Sequence, residues 1–315
     1  MDITLTQMEY LLAVAELGSF GKAAERCHVS QPALSMQVRK AEDLLGVLVL
    51  DRSRKPVVPT DLGEKVITQI RAVLREAGRI DDVLSESRGE VAGPYRLGII
   101  PTLAPYVLPR FLPHFARTYP KVELEIQELQ TERILEALAA DRLDGGLAVT
   151  PLDVPGLTER ALFYEPFEVF ISPEHKLSAK KAIAEADLHD DEVWIMPEGH
   201  CFRSQVLQLC RASSSGKGPI RFESGSIETL MKLVEQNFGI TVVPHLAVAD
   251  LSPAKRKRYV RPFAGGAPVR EVSLLLGRAY LRRAIADTLC EAIRASMPPE
   301  LLSESAAAQV VAPIV

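Results

Sequence analysis

The 315-residue sequence has no apolar run approaching the roughly 20 residues that a bilayer helix needs, so no membrane span is expected. Its opening, MDITLTQMEYLLAVAELGSF, carries acids at Asp2, Glu9 and Glu16 and no basic stretch ahead of an apolar core. That argues against a secretory signal and for a cytoplasmic setting. Cysteine is scarce: four residues cannot make a disulfide framework in a chain this long. In a reducing compartment a close cysteine pair is more often catalytic, metal-binding or redox-sensing than a permanent staple. Excess charge is also missing, because a net −4 gives no sign of a polyanion partner, so any case for DNA binding must come from local sequence. Internal repeats and low-complexity blocks are absent too. What remains is an ordinary globular composition, long enough for two or three units that each bury a core.

Three zones separate by pattern. In the first, residues 1–58, Met8, Leu11, Leu12 and Ala15 follow helical spacing, Gly18 stops that helix, and Phe20 to Arg26 make a short second one. Ser30 is a good N-cap and Pro32 falls in the first turn, where its missing N–H costs nothing, so a third helix is predicted from Gln31 to Leu45. Two short helices, a tight turn and a third helix spell a helix-turn-helix; a small helical bundle would show the same pattern. Residues 1–60 hold seven Lys/Arg and seven Asp/Glu, yet Arg39, Lys40, Arg52, Arg54 and Lys55 gather on the third helix and after it, where phosphate contacts would be needed. The second zone, residues 59–89, steps Leu62, Val66, Ile70, Val73, Ala77, Ile80 and Leu84 by four and three, a stripe that needs a partner. From about residue 95, strand and helix patterns alternate: YRLGII, a helix over 103–117, VELEIQEL, a helix over 132–141, GGLAV, FEVFIS, VWIMP, a helix from Cys201, RFES, a helix from Ile227, GITVVP and EVSLLLG. That series predicts two small α/β lobes. The tail from residue 303, lacking periodicity, is expected to be loosely ordered.

The run LGSFGKAAERCHVSQPALSMQVRKAEDLLGVLVLDRS, followed by PTDLGE, resembles the N-terminal winged helix-turn-helix of LysR-type regulators. The resemblance implies a DNA-binding domain over 1–58, a linker and dimerisation helix over 59–89, and a regulatory domain over 92–302. That domain would have two periplasmic-binding-protein-like lobes: lobe I about 92–164 and 269–302, lobe II about 165–268. It further implies that the helix from Ser30 enters the major groove of double-stranded DNA with Gln31, Pro32 and Ser35 near base edges. Arg39 and Lys40 are expected on phosphates, and Arg52 and Arg54 on the backbone as a wing. Met36 departs from the family pattern, in which many members carry a polar or basic residue there, so no base contact carries over to it. A homo-oligomer, a dimer of dimers, and contact with RNA polymerase on activation are implied as well.

Gly199-His200-Cys201-Phe202-Arg203-Ser204, with Cys210 nine residues after Cys201, resembles the redox segment of the OxyR peroxide-sensor subfamily, and IPTLAPY at 100–106 and LQTERIL at 129–135 match the same group. A sensor cysteine must react as a thiolate, and a helix start at Cys201 would favour the anion. Hydrogen peroxide would oxidise it to a sulfenic acid, and Cys210 is the candidate thiol to condense with it. If 201–210 is helical, nine residues rise about 13 Å, whereas a disulfide needs Cα atoms within about 7 Å, so bonding would require the helix to unwind. By resemblance Thr102 and Thr131 line the peroxide pocket beside His200, with Arg270 supporting it; for both threonines helix capping is the plainer role. Ser204 departs from the best-known members, which carry an acidic residue there. Two buried thiols acting as small hydrophobes would be the ordinary reading of Cys201 and Cys210, and it is the reading for Cys27 and Cys290. No cofactor and no metal site is expected, and no enzyme activity. The competing functions are a LysR-type regulator answering a small metabolite in the interlobe cleft, a thiol peroxidase, and a transport-type binding protein.

Overall fold

The computed structural model describes residues 2–87, 90–188, 193–197, 201–210, 225–277, 282–303 and 309–314, and of residues 75, 79, 81–87 and 210 only the backbone. The chain divides into two units, residues 1–90 and 91–315.

In the first unit, Thr4 and Gln7 close a reciprocal capping box at the start of α1 (Leu5–Leu17), and Gly18 ends it in the left-handed conformation. Ser19 caps α2 (Phe20–Arg26), and Ser30 caps α3 (Gln31–Leu45), which stops at Gly46, again left-handed. The apolar faces of these helices meet in a core around Leu11, Val14, Ala24, Leu34, Val38 and Ala41. Glu42, buried on α3, accepts the backbone N–H groups of Val49 and Leu50 at 2.9 and 3.0 Å. It thereby seats β1 (Leu50–Asp51), which pairs antiparallel with β2 (Val58–Pro59) to form the wing. The 27-residue α4 (Asp61–Ser87) follows. Gly63 lets α4 pass directly beneath the wing, since a Cβ there would lie 2.0 Å from the Val49 carbonyl oxygen.

The stripe expected along α4 does not stay on one face. Ile67 and Ile70 are buried against the core of this unit, whereas Leu62, Val73 and Ile80 are exposed. The helix therefore serves its own core with one edge and leaves a second apolar edge open.

The second unit alternates strands and helices: β3 (Gly93–Ile99), α5 (Ala104–Thr118), β4 (Val122–Glu128), α6 (Thr131–Ala139), β5 (Gly145–Thr150) and β6 (Thr158–Ile171) come first. Then follow α7 (Glu185–Leu188), β7 (Val193–Trp194), α8 (Cys201–Cys210), α9 (Ile227–Glu235), β8 (Ile240–Pro244), α10 (His245–Ala249), α11 (Pro253–Tyr259), β9 (Val260–Pro262), β10 (Val269–Leu276) and α12 (Arg283–Ser296). The sheet order is β4-β3-β5-β10-β6-β8-β7, with β9 also on β6. The 14-residue β6 is the joint: Thr158 to Pro166 pairs with β10, then Phe167 to Ile171 pairs with β8. The segment FEVFIS is thus the second half of a longer strand. Two cores flank this joint, one around Leu97, Phe111, Leu147, Leu274 and Leu289, the other around Phe167, Phe170, Phe202, Leu230 and Val242. VWIMP shortens to the two residues of β7, and the strand expected at RFES lies outside the described residues.

Of the tail expected to be loosely ordered, residues 304–308 and 315 lie outside the described residues. Although the sequence lacks periodicity past residue 303, residues 309–314 lie in fixed contact with the second unit: Val310 bridges Val269, and Val311 donates its N–H to the Val269 carbonyl at 2.8 Å. Neighbouring backbone, not internal periodicity, orders it, which a helix or strand pattern does not register.

Candidate functional sites

Arg270 on β10 and Glu165 on β6 are cross-strand partners, and both are fully buried. The Arg270 Nε–H donates to Glu165 Oε2 at 2.9 Å, and a terminal guanidinium nitrogen makes an ion-pair contact with the same oxygen at 2.7 Å. Two further N–H groups reach Thr102, one to Oγ1 at 3.1 Å and one to its carbonyl oxygen at 3.2 Å. Glu165 Oε1 in turn accepts the Leu246 N–H at 2.7 Å, in the first turn of α10. A charge with no water is costly to bury, and this pairing with saturated hydrogen bonds is what makes it tolerable; removing one partner of such a pair costs about 3–5 kcal/mol. The guanidinium also lies 5.8 Å from the centroid of the Phe202 ring.

Cys201 opens α8 beside this cluster with 8 % of its surface exposed. It sits where the two cores meet: Cys201 packs into the lobe I core and Phe202, the next residue, into that of lobe II. Burial pushes the Cys201 thiol up, while the Arg270 charge, the Thr131 hydroxyl and the Phe202 backbone N–H draw it back, and burial wins. This runs against the expectation that the helix start favours the anion: burial in a low dielectric opposes ionisation more than the helix end and the cation promote it.

Neither threonine caps a helix. Leu103 stands at the cap position of α5 and Gln130 at that of α6, so Thr102 is free to accept from Arg270, and Thr131 lies inside the first turn of α6. The buried Thr131 hydroxyl lies close enough to favour a thiolate at Cys201, yet completes no hydrogen bond among the described residues. Cys201, Thr102, Thr131 and Arg270 are thus brought together; His200 and the Cys210 side chain lie outside the described residues. The backbone of α8 runs unbroken from Cys201 to Cys210, which puts their Cα atoms about 13 Å apart.

Two buried polar residues, one in the site and one farther along α8, were not singled out from the sequence. Glu165 carried a signal, because it and Glu168 are the two carboxylates of the otherwise largely apolar strand segment LFYEPFEVF, where burial demands a cation. Gln205, fully buried in the middle of α8, carried none.

On the first unit, Ser30, Gln31, Pro32, Met36, Arg39 and Lys40 lie exposed along α3, with Ser35 half-buried among them. The Ser30 hydroxyl accepts the Ala33 N–H at 3.4 Å as N-cap. Arg39 and Lys40 have no ion-pair partner among the described residues, so their charges are available to phosphates. Arg52 is otherwise engaged: it donates to Glu42 Oε2 at 2.6 Å and lies 5.1 Å from the Phe20 ring centroid, holding the wing to α2 and α3. Arg54, paired with Asp51 at 3.3 Å, is the more exposed of the two wing arginines. Among the described residues no helix is long and apolar enough to cross a membrane.

Two family descriptions match this architecture: "Bacterial regulatory helix-turn-helix protein, lysR family" over residues 5–64, and "LysR substrate binding domain" over residues 88–298. The chain belongs to the LysR family of transcriptional regulators. It is 35 % identical over 298 residues to the DNA-binding transcriptional dual regulator OxyR of Escherichia coli K12, covering 94 % of this chain and 96 % of that one. It is 35 % identical to a probable hydrogen peroxide-inducible genes activator of Streptomyces viridosporus, covering 93 % and 94 %. Of solved structures, a full-length cysteine-to-aspartate variant of Pseudomonas aeruginosa OxyR is similar with a TM-score of 0.78 at 34 % identity, covering 93 % of this chain and 98 % of that one. A Corynebacterium glutamicum OxyR cysteine-to-serine variant with hydrogen peroxide bound is similar with a TM-score of 0.61 at 28 % identity, covering 94 % and 93 %. Within the family, the chain falls in the OxyR subfamily.

Proposed function

We propose that this protein is a DNA-binding transcriptional regulator, not an enzyme, that senses hydrogen peroxide through Cys201. The observation that carries the reading is a buried thiol at the junction of two cores, flanked by the Arg270 guanidinium and by the buried Thr131 hydroxyl, which completes no hydrogen bond among the described residues. Hydrogen peroxide, small and uncharged, would take hydrogen bonds from these groups as the thiol ionises. The Cys201 sulfur attacks one peroxide oxygen and the O–O bond breaks. The leaving hydroxide takes up the thiol proton, giving Cys201 sulfenic acid and one water. Arg270 and the threonine hydroxyls stabilise the charge developing on the departing oxygen.

In the second step the Cys210 thiol attacks the sulfenic sulfur, forming a disulfide and releasing a second water. With about 13 Å of helix between the two residues, this step requires α8 to unwind. Because α8 is packed at its start into one core and along its length into the other, the change reaches both lobes. The exposed face of α3 would read the major groove, with Gln31, Pro32 and Ser35 at base edges and Arg39, Lys40 and Arg54 on phosphates. Arg52 would support the wing and contact phosphate from there. The open apolar edge of α4 supports a homodimer, and the regulatory domains would pair such dimers. The setting is the cytoplasm, and activation would work through contact with RNA polymerase.

The test is a thiol count and disulfide map of reduced protein after one equivalent of hydrogen peroxide, with C201S and C210S alongside and DNA footprinting on each. The expected result is a Cys201–Cys210 disulfide, absent from both variants, with an altered footprint. A stable sulfenic acid on Cys201 alone would remove the second step; inert thiols would return the protein to the metabolite-responsive members of its family.

A further inference from the structure

Three side chains along the middle of α8 are hydrogen-bonded to the tail residues 311–314. Gln205 Nε2 donates to the Val311 carbonyl at 2.5 Å, and Gln208 Nε2 to the Ala312 carbonyl at 3.0 Å. The Ser204 hydroxyl donates to the Cys201 carbonyl at 2.8 Å and accepts the Ile314 N–H at 3.0 Å. The other edge of the tail is fixed to β10 at Val269, next to Arg270. Val311 packs on the lobe II core, and Pro313 is buried. Gly266, with φ +113°, makes room for Gln309, because a Cβ there would lie 2.7 Å from the Gln309 amide nitrogen. The matched family region ends at residue 298, before this segment begins.

We infer that residues 309–314 form a clamp that holds α8 helical between Cys201 and Cys210, so that the tail must let go before the two cysteines can join. The inference rests on the proposed disulfide step. Each of the three bonds depends on helical spacing: residues 204, 205 and 208 share one side of α8 only while it is wound. Unwinding scatters them, and the fully buried Gln205 amide then loses its acceptor inside the protein, a desolvated state that opposes the change. Among the described residues the clamp's hydrogen bonds reach the peroxide pocket only at the Cys201 carbonyl, so it acts on the second chemical step and not on the first. Ser204 gains a role from this placement, as the hydroxyl that joins the carbonyl of the sensing residue to the end of the chain.

The test uses full-length reduced protein, wild type against the double substitution Gln208→Ala with Ile314→Pro, and in parallel a chain ending after position 308. Proline at 314 deletes the N–H that Ser204 accepts and leaves α8 untouched. Amide hydrogen exchange of residues 202–209 is measured first, then the rates of sulfenic acid formation and of disulfide formation after a peroxide pulse. The clamp predicts faster exchange in both variants, unchanged sulfenic acid formation, and disulfide formation faster by at least about tenfold, the factor that a few modest hydrogen bonds carry. Unchanged exchange in both variants overturns the inference, as does faster exchange with an unchanged disulfide rate. If no disulfide forms in any of the proteins, the pairing with Cys210 has failed instead, and the exchange result alone decides whether the tail holds the helix.

Discussion

At the scale of single residues, burial opposes ionisation of the thiol proposed to sense peroxide. Cys201 is held above the ordinary thiol value by burial, with Arg270, Thr131 and the Phe202 N–H opposing. A group of this kind reacts through its small thiolate fraction, which grows with pH until the raised value is passed. The rate of Cys201 sulfenic acid formation is therefore expected to climb about tenfold per pH unit through neutrality and beyond the ordinary thiol value of about 8.5. Arg270→Lys keeps a charge but loses the planar fork that spans Glu165 and Thr102, and is expected to lower the rate at pH 7 by about tenfold or more. Sulfenic acid trapping against time over a pH series gives both numbers. A rate already level below pH 8 would mean a stabilised resting thiolate and would sink this account.

Helices and strands show what the sequence made legible. Ser30, Pro32 and Gly46 mark the ends of α3 with local chemistry, so its limits Gln31 to Leu45 could be read directly. The lobes were legible as alternating patterns because each strand has its own apolar period. The cross-strand meeting of Arg270 with Glu165 was not, since it depends on register between segments about a hundred residues apart, and the docking of the tail depends on the backbone of β10 and side chains of α8. In α4 the periodicity was visible but the division of its faces was not: Ile70 is buried against its own unit, while Ile80, 65 % exposed, is open. Ile80→Asp should change the stability of an isolated unit by no more than about 0.5 kcal/mol, as exposed substitutions do. If the open edge is the dimer contact, the same substitution should shift the protein toward monomer by at least tenfold in dissociation constant, from the loss of one buried aliphatic contact and the burial of a carboxylate. Sedimentation velocity over a concentration series decides it; an unchanged association state with unchanged stability would remove α4 from the interface.

For the regulatory unit as a whole, β6 is the element on which both lobes and the proposed sensing site depend. Two of its carboxylates end on the start of α10: Glu165 accepts the Leu246 N–H, and Glu168 meets His245 Nδ1 at 2.7 Å while also binding Arg256 of α11 at 2.7 and 2.8 Å. Burial raises the Glu168 carboxyl, but the hydrogen bonds and charges of His245 and Arg256 outweigh it and hold the group below the ordinary carboxylate range. A depressed folded value means that the contribution to stability is fully present above the unfolded carboxylate value of about 4.3 and is lost as the pH falls through the folded one. Acid should therefore loosen α10 and α11 from β6, and with them the support of Glu165 for Arg270. In Glu168→Gln the ion pair is gone at every pH, so the variant should be less stable than wild type at pH 7 by about 1–3 kcal/mol. That gap should close as the pH drops below 4, because wild type then loses what the variant already lacks. Denaturant midpoints of both proteins from pH 7 to pH 3 measure the gap directly, and one that stays constant over that range would show that Glu168 does not couple the lobes to pH.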